Sequence, residues 1–182
     1  MDKKTITKTD DKNIRLNLAK WFRVSSLENR HEGANWYADA RRFTVETAEK
    51  FGVDRYKVAA VVSALSPNNK WERNKIDAVA VINAWQAGLD ADSVKVCTYG
   101  ANKRKAFRIL DGELIAESSP KTHSFAMNIA HLSSEHITID KWHIRACLCS
   151  PEQGIVDTVE SVTAKQYRRI ERITAEIARD HG

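Results

Sequence analysis

Asp54 to Asn74 read DRYKVAAVVSALSPNNKWERN, and the fold turns on the run in the middle, Val58 to Leu65. VAAVVSAL is apolar on every side except at Ser63. A helix at a surface carries one apolar stripe, whereas a helix apolar all round is the buried centre of a bundle. The edges agree with that reading. Asp54 is a helix N-cap, and Ser66-Pro67 stops the helix. The polar continuation SPNNKWERN cannot be buried with the run. The central helix therefore delivers Asn68, Asn69, Lys70, Trp71 and Arg73 to a surface or a cleft.

Outward from this centre the chain reads as helix after helix. It holds 7 glycines and 3 prolines in 182 residues, so breakers are scarce. Apolar periodicity and end signals predict helices over roughly 12–24, 34–51, 54–65, 71–87, 101–110, 120–132, 141–149 and 163–180. Gly88 is a natural C-cap, and Ser119-Pro120 supplies an N-cap and a first helical residue. HITI, His136–Ile139, reads as extended but is too short to make a sheet. The expected fold is all-α and compact, with a loose polar tail over 1–11 and one helical domain over 12–182.

The 42% hydrophobic content suffices for a core, and the net charge of +5 is compatible with a nucleic-acid partner. Cys97, Cys147 and Cys149 make neither a disulfide framework nor zinc spacing, and fall short of the four ligands of an iron–sulfur cluster. Reduced, buried thiols are expected, with no cofactor and no metal. MDKKTITKTDDK lacks an apolar signal core, and no run approaches transmembrane length. The expectation is a soluble cytoplasmic protein with no membrane partner.

Several positions carry two readings. Asp140, in ITIDKWHIRACL (Ile137–Leu148), is either a plain helix N-cap or a catalytic acid held at a helix start. His143, three residues on, can share its helix face, but a metal site there would need more ligands than the sequence offers. Asn68 and Asn69 are turn residues, or a wedge filling the gap left by an extruded base. Trp71 is core or a base platform. Lys103, Arg104 and Lys105 crowd a positive helix end, a strain that a phosphate would relieve.

In chain order, the apolar helix with LSPNNKWERN, then TYGANKRKAFRIL, then SSPKTHSFAMNI, then ITIDKWHIRACL resembles the helix-hairpin-helix DNA glycosylase superfamily. The resemblance covers about residues 54–149. It implies double-stranded DNA, with or without modified bases, as the partner, and base extrusion followed by cleavage of the N-glycosidic bond. It implies Asp140 as the catalytic acid and Lys121, nineteen positions earlier, as the amine that forms a Schiff base in members that also cut the strand as AP lyases. The glycine-rich hairpin of that superfamily is here ESSPKT, so Ser118 and Ser119 would take over phosphate contacts. ALSPxxxWxRN and xTxDxWxxRA also resemble small phage proteins of no known activity. Two rivals follow from the same scaffold: a transferase that hypermodifies a base within DNA, and a non-catalytic DNA-binding or inhibitory module.

Overall fold

The computed structural model describes residues 6–131, 136–154 and 162–181. Among the described residues, eight α-helices run in the order α1 (Asp11–Val24), α2 (Leu27–Phe51), α3 (Arg55–Leu65), α4 (Trp71–Gln86), α5 (Gly100–Asp111), α6 (Pro120–Ala130), α7 (Lys141–Leu148) and α8 (Ala164–His181). No strand occurs among the described residues, so the fold is all-helical. No helix among them is long and apolar enough to cross a membrane.

Contacts gather the chain into two compact units, Asn35–His136 and the pair of segments Met1–Ala34 with Ile137–Gly182. The sequence shows no linker and reads as one domain over 12–182. A unit assembled from both ends of a chain leaves no boundary in composition.

In the Asn35–His136 unit α3 is the centre. Asp54 caps it by accepting from the Lys57 amide. Every residue from Val58 to Leu65 is buried, and α4, α5 and α6 all pack on it. The small side chains Ala59, Ala60 and Ala64 let those neighbours come close. Ser63, the one polar residue of the run, donates its hydroxyl to the Thr122 carbonyl of α6 at 2.7 Å. Asn74 of α4 donates to the Val62 carbonyl at 3.0 Å. These bonds offset the cost of burying polar groups in an otherwise apolar centre.

The other unit packs α1 against α7 and α8. Its core holds Ile14, Ile139, Ile144, Leu148, Tyr167, Ile170 and Ile173, with Cys147 and Cys149. Tyr167 fixes the HITI segment: its hydroxyl donates to the Ile137 carbonyl at 2.8 Å and accepts from the Ile139 amide at 2.9 Å. The segment is thus held against a helix by side-chain bonds and needs no sheet.

Three expectations change. The tail through residue 11 is packed from Ile6 onward: Ile6 is buried and Asp10 caps α1. Arg169 donates to the carbonyls of Ile6 and Thr9, and Asp11 pairs with Arg169 and Arg172. These partners lie too far along the chain for local pattern to reveal them. Second, α2 starts at Leu27, not near residue 34. The Ser26 hydroxyl accepts from the Asn29 amide, and Arg30 reaches back to the Phe22 carbonyl and the Ser25 hydroxyl. A polar first turn closed by such bonds has no apolar stripe to announce it. Third, Cys97 is exposed. Cys147 and Cys149 are buried as expected, and burial pushes the Cys147 thiol up to about 12, so it stays protonated and inert.

Candidate functional site

Asp140 sits where the extended segment pinned by Tyr167 turns into α7. Its backbone is extended, and its Oδ1 accepts from the His143 amide at 2.8 Å. Capping is therefore part of its role. Its Oδ2 accepts no hydrogen bond among the described residues, so one carboxylate oxygen stays available while the other fixes the side chain. His143 presents Nε2 to the Thr174 hydroxyl at 2.9 Å, and that hydroxyl donates to the Ile170 carbonyl. The hydroxyl proton is thus in use, and the imidazole Nε2 must be the donor. Desolvation lowers the His143 pKa to about 4, against the opposing pull of the Asp140 charge. No group of three or more His, Cys, Asp or Glu among the described residues could hold a metal ion.

The half-buried, neutral His143 gives a pH dependence with a definite sign. The unfolded chain takes up a proton near the ordinary value of 6.5, while the folded chain resists it to about 4. Stability from this site is complete above pH 6.5 and is lost as pH falls from 6.5 through 4. The expected loss across that window is on the order of 3 kcal/mol. Urea melts of the wild type and of His143→Gln at pH 7 and pH 4 test this; equal pH slopes in the two proteins exclude it.

In the Asn35–His136 unit, SPNNKW folds as a turn stapled to the loop before α5. Asn68 is exposed at φ +56°, a left-handed conformation that asparagine tolerates, and it donates to the Tyr99 hydroxyl at 2.7 Å. Thr98 donates its hydroxyl to the Pro67 carbonyl. Beneath the turn lies Asp77, whose side chain is 0% exposed. It accepts from Asn69 Nδ2 at 2.9 Å, Arg73 Nε at 2.7 Å and the Cys97 amide at 2.8 Å. Sequence reasoning missed Asp77. The available signal was an acid four positions after Arg73, set into the apolar side of α4.

The remaining candidates occupy varied surroundings. Asn69 and Arg73 point their polar groups at Asp77, and Lys70 is exposed. Trp71 is half-buried, 5.0 Å from Trp36 and 6.0 Å from Phe43 between ring centres, with the Lys75 ammonium 5.6 Å from its ring. Lys103 donates to the Val94 carbonyl at 2.8 Å, and its side chain is only 12% exposed. Arg104 is exposed, 3.5 Å from Asp92. Lys105 is half-buried, with no ion pair among the described residues. Ser118 is exposed, and Ser119 stands at the N-cap position of α6 without a side-chain cap bond. Lys121, in the first turn of α6, is exposed, and its side chain has no hydrogen bond or ion pair among the described residues. Lys121 belongs to the Asn35–His136 unit, and Asp140 to the unit completed by Ile137–Gly182.

Compared with known proteins, residues 1–182 match the family described as Family of unknown function (DUF7178). No curated protein and no solved structure matches the chain.

Proposed function

We propose that this chain, which belongs to the Family of unknown function (DUF7178) over residues 1–182, is a DNA-binding enzyme of glycosylase type that releases an extruded base at Asp140. The observation that carries this reading is the state of the Asp140 carboxylate, with one oxygen fixed by the α7 cap and the other without a hydrogen bond among the described residues. As a base–sugar bond breaks, positive charge grows on the sugar ring. A fixed carboxylate beside it stabilises that charge and takes a proton from the water that adds to the anomeric carbon. Exposed Lys121, its ammonium unengaged among the described residues, is the amine for the alternative attack: a Schiff base forms, and the strand breaks by elimination. The chain order of the buried helix, the basic helix, the serine-led helix and the acid-led helix also supports the reading.

A non-catalytic DNA-binding module on the same scaffold is the rival outcome.

The test is incubation with DNAs carrying different base modifications, followed by mass analysis of released base and of strand breaks. Released base supports glycosylase action. Binding without any product supports the module. A gain in DNA mass on an intact backbone points instead to a base-modifying transferase.

On this reading the basic helix meets DNA phosphates through only part of its cationic cluster. Because Lys103 is tied to the Val94 carbonyl, only Arg104 and Lys105 are counted as phosphate contacts. Replacing both by Gln is expected to shrink the slope of log affinity against log salt by at most ~1.8, equally for all DNA sequences. Adding Lys103→Gln is expected to lower stability without further change in slope. Fluorescence anisotropy across a salt series checks both; an unchanged slope in the double variant places the cluster outside the DNA contact.

A further inference from the structure

We propose that Trp142 is a stacking platform for an unpaired nucleobase, with Lys141 beside it for the adjoining phosphate. The inference rests on the DNA-facing reading of Asp140, two residues earlier in the chain.

The α7 helix buries Ile144, Cys147 and Leu148. Two positions before Ile144, helical geometry turns a side chain to the opposite face, and Trp142 is accordingly 53% exposed. A half-exposed indole contributes little to a core, yet this one is held in place. The Arg145 guanidinium, one turn on and 92% buried as a residue, lies 4.9 Å from the ring centre. The Lys141 ammonium lies 5.7 Å from it and belongs to an exposed residue. The two cations lie over the ring, yet more than half of the residue's surface stays exposed and open to a base.

The chemistry selects one class of occupant. A bare aromatic surface suits many apolar partners, and a lone lysine suits any anion. An exposed indole and an exposed ammonium within one helical turn together match a base with its phosphate, the pairing by which single-stranded nucleic acid is held. The first turn of α7 contains no acid; the acid next to Lys141 is the N-cap Asp140, whose carboxylate the proposed function sets beside the sugar. Asp140 directs Oδ1 to the His143 amide.

The test uses the full chain, a fluorescein-labelled oligothymidylate and an abasic oligomer of the same length. Thermal melts first establish that Trp142→Ala and Trp142→Phe fold like the wild type; the ring is exposed, and little change is expected. Wild type is expected to bind oligothymidylate more tightly than the abasic oligomer. Trp142→Ala should lose about tenfold in affinity for oligothymidylate and nothing for the abasic oligomer. Trp142→Phe should keep most of the affinity but lose the quenching of tryptophan fluorescence on titration. Equal oligothymidylate affinity in wild type and Trp142→Ala overturns the stacking role, while base release by the wild type would leave the glycosylase reading intact. Equal losses on both oligomers also overturn it, since the ring would then serve only the local structure. If the wild type binds neither oligomer nor duplex DNA, this inference and the proposed function fall together.

Discussion

Asp77→Ala is expected to destabilise the protein by about 3 kcal/mol, the largest effect of any polar substitution considered. The Asp77 carboxylate is 0% exposed and satisfies three donors on three different stretches: Asn69 in the turn after α3, Arg73 on its own helix, and the Cys97 amide in the approach to α5. Removing it leaves the Cys97 N–H without its acceptor and the half-buried Asn69 amide with only the Leu65 carbonyl, at 3.3 Å. Arg73, 45% exposed, can turn to water, which keeps the figure toward the lower end for a broken buried pair. Asp77→Asn should fall between, because the amide retains one acceptor but sets its NH2 against a donor. Urea denaturation measures both, and a loss below about 1 kcal/mol for Asp77→Ala would mean that the three donors find other partners.

Asp140→Asn is expected to lower base release by about 100-fold or more while leaving DNA affinity and stability near wild type. Asn caps a helix about as well as Asp, so the His143 amide keeps its partner. What is lost is the charge that a developing positive sugar requires, and removal of one such electrostatic group typically costs two to three orders of magnitude, ~10²–10³. Asp140→Ala should lose the same activity and, in addition, about 1 kcal/mol of stability through the missing cap. The two variants together separate the roles. If Asn retains full activity, Asp140 is a cap alone. If Asn and Ala both destabilise equally, the carboxylate charge serves the fold, and the active-site assignment at this position fails.

Much of the helical layout was legible because it is written locally. VAAVVSAL announces a central helix by being apolar all round, and Asp54, Ser119-Pro120 and Asp140 mark helix starts that the structure places at those residues. What local pattern misses depends on partners far along the chain. The packing of Ile6 to Asp11 needs Arg169 and Arg172, and α2 starts in a polar turn held by the Ser25 and Ser26 hydroxyls and the Phe22 carbonyl, with no apolar stripe to mark it. The candidate site was legible to the same extent. Asp140 stood out at a junction, and Lys121 in a first turn. Asp77 did not stand out, since an acid facing the interior of α4 makes sense only once the Cys97 amide, twenty residues on, is seen to donate to it. Helical spacing turns Trp142 away from Ile144, but spacing alone does not say whether another element covers that face.

The unit formed by both ends of the chain has a consequence for the order in which the molecule is made. Synthesis runs from the N-terminus, so every residue of the Asn35–His136 core exists before Ile170 and Ile173 do. Helix α1 is made well before α7 and α8, the helices it packs against, and so waits for its partners. Until then Ile14 has no core to enter, and the earlier-made unit can close around α3 while the α1 surface that will meet α8 is still waiting.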